Sequence, residues 1–161
     1  MPGKDSVQFM LKSNQDAVRK LLDDITEDEA VKSLNGICSP IKWQTGHIAF
    51  YTDYLVKILG GENTLPEKWI ELYRGGTELS DEHHSFLPFD KMRAELYERF
   101  DALNEQVDNL DESKLQEEIA FSPEWKAKLV NGILMLGTHE FYHAGQITVA
   151  RNILGRERPF G

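Results

Sequence analysis

Residues 89–110, FDKMRAELYERFDALNEQVDNL, carry the clearest structural pattern in the chain. Apolar side chains recur there every three or four positions, and charged side chains occupy most positions between them. This period is typical of one face of an amphipathic α-helix that packs on a hydrophobic core. The apolar positions are Phe89, Met92, Leu96, Phe100, Leu103, Val107 and Leu110. The segment therefore predicts a long helix within a helical fold.

The same periodicity predicts three further helices, at about 5–24, 40–59 and 124–154. Glycines follow the second and the last of them, as is common at helix C-termini. Ser39 and Pro40 have the residue types of an N-cap and a first helical position. No segment predicts a strand. The fold class that follows is all-α, a four-helix bundle with one long crossover connection.

Two shorter features lie between these helices. Thr26 and Glu29 have the spacing of a capping box and predict a brief helical turn. The crossover, residues 60–88, contains Gly, Pro and polar residues, with one short helix expected at 66–73. Long connections of this kind often carry functional contacts.

Composition limits the classes of function. The 161 residues fit a single domain, 1–161, and 18 basic against 27 acidic residues give a net charge of -9. That charge repels nucleic acid and anionic membranes, and no stretch reaches the roughly 18 apolar residues of a spanning helix. The lone Cys38 cannot form an internal disulfide, which is compatible with a reducing cytoplasm, and we interpret it as a buried or loop thiol. We expect a cytoplasmic protein that binds neither nucleic acid nor a membrane.

His139 and His143 form the strongest chemical signal in the sequence. They lie four residues apart on the apolar stripe of the last predicted helix, so their imidazoles project from one face. Two unpaired buried imidazoles would cost several kcal/mol, a cost that a divalent cation bound to both would remove. Among the remaining histidines, only His47 lies on an inward helical stripe. The sequence predicts a three-histidine metal site, against the alternative of separate core histidines.

The string HEFYH, residues 139–143, also fits the HExxH motif of zinc metalloproteases, in which the glutamate is the general base. That motif requires a third ligand downstream, and no histidine follows His143. A metallopeptidase is therefore a remote alternative. For Glu140 the sequence leaves open a catalytic role, a supporting role beside the ligands, and a position on the helix surface.

Two stretches, SPIKWQTGHIAFYTDYL at 39–55 and THEFYHAGQITVARNILG at 138–155, resemble the DinB/YfiT-like superfamily of metalloproteins. The resemblance spans nearly the whole chain. The family pattern of a tryptophan, a Gly-His pair and a later HxxxH followed by Gly-Gln is matched by Trp43, Gly46, His47, His139, His143, Gly145 and Gln146. The first stretch also resembles the N-terminal domain of ergothioneine-biosynthetic sulfoxide synthases, whose three histidines hold iron.

The resemblance implies a four-helix bundle, often dimeric, that binds zinc, nickel or iron. In several branches of the family it implies chemistry on low-molecular-weight thiols, including bacillithiol-dependent S-transferases and mycothiol-dependent isomerases. We therefore expect a thiol S-transferase or hydrolase that acts on a small molecule, with a non-catalytic metal- or ligand-binding module as the alternative. Glu140 and Tyr51 are the candidate catalytic residues, and Tyr142 is a further candidate base.

Four other residues have weaker expectations. His83 and His84 are expected in a solvated loop, with a role at the mouth of the site as the alternative. Gln146 could orient a ligand or simply pack against a neighbouring helix. Arg151, in the last helical turn, is expected to complement the helix dipole.

Overall fold

The computed structural model describes residues 3–157 and residue 159. The long helices are α1 (Lys4–Leu22), α3 (Ile41–Ile58), α6 (Phe89–Asn109) and α7 (Leu129–Ile153). The short helices are α2 (Glu27–Ala30), α4 (Glu67–Tyr73) and α5 (Asp81–Ser85). Helix α3 packs against α6 and α7, and α1 packs against the same two helices. The predicted four-helix bundle is confirmed.

The core lies between the four long helices, and α6 shows why. Its side chains at the predicted apolar positions from Phe89 to Val107 are buried, whereas most of the charged positions between them are exposed. The helix begins at Phe89, as predicted, and ends one residue before the predicted Leu110. Removal of this stripe from water is the main stabilising contribution of α6.

Hydrogen bonds stabilise helix α2 and the start of α3. Thr26 and Glu29 form the predicted capping box, with the backbone N–H of Thr26 donating to Glu29 Oε2 at 2.9 Å. Helix α3 begins one residue later than predicted, with Pro40 rather than Ser39 at the N-cap. The buried Lys42 in its first turn donates to Glu27 Oε1 at 2.5 Å and to the His84 carbonyl at 2.7 Å. These bonds tie α2, α3 and the crossover together.

The crossover is more ordered than the sequence indicated. The short helix expected at 66–73 is α4, but α5 was not predicted, and it places His83 in the interior at 3% exposure. The expectation of a solvated loop was wrong for His83, because its Nε2 donates to the Leu72 carbonyl at 2.7 Å. His84 is exposed, as expected.

The prediction that the chain forms no strand was also wrong. After a 3₁₀ turn at Glu112–Gln116, strands β1 (Glu118–Ser122) and β2 (Trp125–Lys128) pair antiparallel. The last helix therefore starts at Leu129 and not near 124. More and less buried side chains alternate along Glu118–Phe121 and along β2, and the rings of Phe121 and Trp125 stack with centroids 4.5 Å apart. These cross-strand contacts favour two strands over an earlier start of the last helix, which the apolar residues after position 124 had predicted.

Membrane insertion has no support from the helices. Within the part of the chain that the structure describes, none of them combines the length and the apolar character needed to span a bilayer.

Candidate metal centre

The three predicted histidines meet between α3 and α7. The Nε2 atom of His139 lies 3.3 Å from Nε2 of His47 and 3.2 Å from Nε2 of His143. One ligand nitrogen from each ring lies within 4.8 Å of the other two. The one-turn spacing of His139 and His143 brings their rings together, and α3 supplies the third ring across the helix interface.

Two of the three imidazoles are oriented by hydrogen bonds on the side away from the cluster. Nδ1 of His47 donates to the Tyr73 carbonyl at 2.6 Å, and Nδ1 of His143 donates to Gln44 Oε1 at 3.0 Å. Each bond assigns the ring proton to Nδ1, so the Nε2 lone pair faces the centre of the cluster. Neither Gln44 nor the Tyr73 carbonyl was assigned this function from the sequence.

The residues fit a divalent cation, as the proton count shows. With Nδ1–H on His47 and His143, both of their Nε2 atoms are acceptors, and His139 Nε2 has at most one proton to donate. At least one of the two short N···N contacts is therefore left without a proton. A cation at about 2.1 Å from each nitrogen satisfies all three lone pairs, and tetrahedral ligands at that distance lie about 3.4 Å apart.

Gly46, the residue before the first ligand, brings α4 close enough to supply this support. A Cβ at position 46 would lie 2.4 Å from the Tyr73 ring, so only glycine allows that ring to pack against α3. The indole N–H of Trp69 donates to the Gly46 carbonyl at 2.8 Å. The Gly-His pair thus places a ligand and makes room for the residue that orients it.

The electrostatics of the cluster favour neutral imidazoles. Burial is the largest cause that lowers the pKa of His47 to about 4 and of His143 to about 3, and it lowers the pKa of His139 as well. The other rings of the cluster also lower the pKa of His47 and His143, and among the described residues no carboxylate acts to raise any of the three. The rings are therefore neutral at neutral pH, so each can offer a nitrogen lone pair to a cation, and the three ligands do not compensate the charge of that cation.

Aromatic side chains surround the cluster. Trp43 stacks on His47 with centroids 4.5 Å apart, and Tyr51 packs edge-on against His47 and His139 at 4.9 and 4.8 Å. Tyr142 packs against His143 at 5.2 Å. Of the predicted catalytic residues, Tyr51 is thus in contact with two ligand rings.

Glu140 lies inside the bundle and not on its surface. Its side chain is buried and lines a cavity of about 10 Å³ inside the bundle, room for about one water molecule. Its Oε1 has no hydrogen-bond partner among the described residues, and burial raises the pKa of its carboxyl to about 8. Glu140 shares this cavity with Tyr51 and His139, but its carboxylate is not part of the ligand cluster. The position on the helix surface is excluded.

The remaining candidates lie outside the cluster. Gln146 donates to the Tyr142 hydroxyl at 2.6 Å, and the Cys38 thiol, whose pKa is raised by burial, lies 3.8 Å from the Gln146 carbonyl. His83 supports the end of α4, as described above. Arg151 is buried and forms an ion pair with Asp24, so its role is a specific contact and not only a dipole interaction.

The arrangement therefore consists of three convergent neutral imidazoles with aromatic neighbours. No curated protein matches the chain in a sequence search. The family model of the DinB superfamily matches residues 10–147, a range that includes all three histidines. Because that match covers most of the sequence, the chain belongs to the DinB superfamily.

Proposed function

We propose that this protein is a metal-dependent enzyme of thiol S-transferase or hydrolase type, with His47, His139 and His143 as the ligands. The observation that supports the proposal best is the set of three inward-facing Nε2 atoms with no carboxylate in the cluster among the described residues. Zinc, nickel and iron all accept imidazole ligands, so the donor set admits each of them. A divalent ion held there by three neutral ligands would lower the pKa of a thiol or water bound beside them.

The protein's own residues would then position the reactants. Gln44 and the Tyr73 carbonyl hold the rings of His143 and His47 in place. Trp43 and Tyr51 pack against the His47 ring and exclude bulk water from it. In the transfer reaction the thiolate sulfur forms a bond to an electrophilic carbon of a small-molecule substrate, and the leaving group departs with its electron pair. The Tyr51 hydroxyl is our candidate for the group that gives a proton to the substrate or accepts one from it. Glu140, which lines the same cavity as Tyr51, is the candidate buried acid.

The alternative is a metal- or ligand-binding module without turnover. One observation favours it: the Glu140 side chain is buried and its Oε1 has no hydrogen-bond partner among the described residues, so the carboxyl is not held beside the ligand nitrogens as a general base would be. The same observation argues against a metallopeptidase, as does the third ring, which comes from upstream on α3.

The test uses protein purified without a histidine tag and reconstituted separately with zinc, nickel and iron. We expect at least one metal form to accelerate the reaction of glutathione or cysteine with bromobimane, or the hydrolysis of nitrophenyl acetate. His143→Ala, treated identically, should show only the background rate. Metal-loaded protein that accelerates none of these reactions would favour the binding module.

We extend the proposal to a cytoplasmic homodimer that forms through the outer face of α7. Both charged side chains of this helix, Glu140 and Arg151, are buried. Five large apolar side chains of α7 are exposed, namely Met135, Phe141, Tyr142, Val149 and Ile153. A helix that is apolar on all sides is usually covered on all sides. Sedimentation velocity should show a dimer that Phe141→Asp dissociates and that Leu79→Asp, at an exposed site in the crossover, leaves intact.

A further inference from the structure

The end of α4 and the turn after it, residues 72–77, form a roof beside the three-histidine cluster. This roof segment is attached on both sides. The Tyr73 carbonyl accepts from His47 at 2.6 Å, and the Leu72 carbonyl accepts from the buried His83 of α5 at 2.7 Å. Two neighbouring carbonyls thus hold the segment between a ligand ring and helix α5, so its position relative to the cluster is fixed.

The turn within the roof segment is also constrained. The hydroxyl of Thr77 lies 2.9 Å from both the Leu72 and the Arg74 carbonyls. Gly76 has a φ of 84°, a left-handed conformation that favours glycine. Gly75 is not among the residues with positive φ, so the backbone conformation does not require glycine at position 75.

The absence of a side chain at Gly75 leaves space next to Tyr51 and His47. A Cβ at position 75 would lie 3.0 Å from the Tyr51 hydroxyl oxygen and 3.9 Å from Cε1 of His47. Cε1 is bonded to the ligand nitrogen Nε2, so this Cβ would stand at the edge of the cluster. A larger side chain would extend into the space beside Tyr51 and the ligand rings.

We propose that Gly75 sets the size of the molecule that can reach the metal, an inference that rests on the proposed metal centre. A valine at this position would narrow the approach beside Tyr51 while leaving His47, His139 and His143 in place. The expected consequence is selection by size: small ligands still bind, and bulky ligands are rejected. Gly75 is in this sense a specificity-determining residue and not a catalytic one.

The test measures ligand binding to cobalt-substituted protein by visible absorption, which needs no turnover. The probes are imidazole and phenylimidazole, which share a donor nitrogen and differ in bulk. Gly75→Val should retain cobalt and bind imidazole within about threefold of wild type, but bind phenylimidazole at least about tenfold more weakly. Glu78→Val places the same side chain at an exposed position of the same crossover and should behave as wild type.

Two outcomes would overturn the inference: Gly75→Val that binds both probes as wild type does, or that weakens both equally. A separate titration with 2-mercaptoethanol keeps the two proposals apart. Wild-type protein that binds both imidazoles but no thiol would contradict the thiol chemistry and leave the role of Gly75 standing. Wild-type protein that takes up no metal would contradict both proposals.

Discussion

Helices α6 and α7 are the two longest in the fold, and they use their residues in opposite ways. Helix α6 buries an apolar stripe and exposes most of its charges, whereas α7 buries both of its charged side chains and exposes several large apolar ones. The periodicity of α6 therefore reports only its packing. In α7 two histidines of the inner face belong to the candidate metal centre, and the outer face exposes the apolar side chains where we propose the dimer contact. The comparison separates residues that stabilise the fold from residues that are candidates for a function.

The largest effect on stability is expected in α6. Phe100 is fully buried, so Phe100→Ala removes a ring from the core and leaves a cavity. We expect the free energy of unfolding in urea to fall by about 3–5 kcal/mol. The folded variant should still bind metal at the wild-type ratio, because no ligand or ligand partner changes. A loss of metal at full stability would contradict the division of roles.

A smaller effect, confined to the metal, is expected beside α7. Gln44→Ala removes the oxygen that accepts from His143 Nδ1, so the ring loses its fixed tautomer and orientation. We expect metal affinity, measured by competition with a chromogenic chelator, to fall about 10–100-fold. Gln8→Ala is the control, since the Gln8 side chain donates to Asp108 of α6 at 2.7 Å and lies outside the ligand cluster, and its affinity should stay within about threefold of wild type. Equal effects of the two substitutions would show that Gln44 has no special role.

The pH dependence of stability should reveal the buried acid of α7. Burial raises the pKa of Glu140 to about 8 from its ordinary value of 4.5. Between those pH values the folded chain holds a proton that the unfolded chain releases, so wild-type stability falls as pH rises. Glu140→Gln lacks this titration, and the histidine titrations are common to both proteins.

Metal-free wild type should therefore lose stability relative to Glu140→Gln by up to about 1.4 kcal/mol for each pH unit between pH 5 and pH 8. Urea titrations at several pH values give this difference directly. A difference that is independent of pH across that range would mean that Glu140 ionises normally, and that its carboxyl finds a partner in solution.

The smallest effect on stability is expected on the outer face of α7. Phe141 is 63% exposed, so Phe141→Ala should change the free energy of unfolding of the monomer by no more than about 0.5 kcal/mol. A change of phenylalanine to alanine is thus expected to lower the free energy of unfolding most in α6 and least in α7. Urea unfolding at low protein concentration measures it without the contribution of a dimer. A loss of several kcal/mol would show that this ring belongs to the core.

The parts of the structure that the sequence predicted are those with a regular period. Helix α6 was predicted to within one residue, and the spacing of His139 and His143 indicated a shared site before any contact was known. The hairpin was missed although Ile119, Phe121, Trp125 and Ala127 alternate, because strands of four or five residues resemble the start of an apolar helix.

The sequence contains no comparable pattern for the contacts that support the site. The group that orients His47 is the main-chain carbonyl of Tyr73, and every residue has such a carbonyl. The burial of Glu140 depends on how α7 is rotated within the bundle, which the nearly uniform apolar character of that helix leaves undetermined. Contacts between distant segments decide these features, and only the folded chain shows them.

The central claim is that one divalent ion is held by three imidazoles from two helices. Elemental analysis of tag-free protein reconstituted with zinc, nickel or iron tests it most directly, with His47→Ala, His139→Ala and His143→Ala beside wild type. We predict about one ion per wild-type chain and a large loss of metal in each variant. Full metal content in any of the three variants, or none in the reconstituted wild type, would contradict the account.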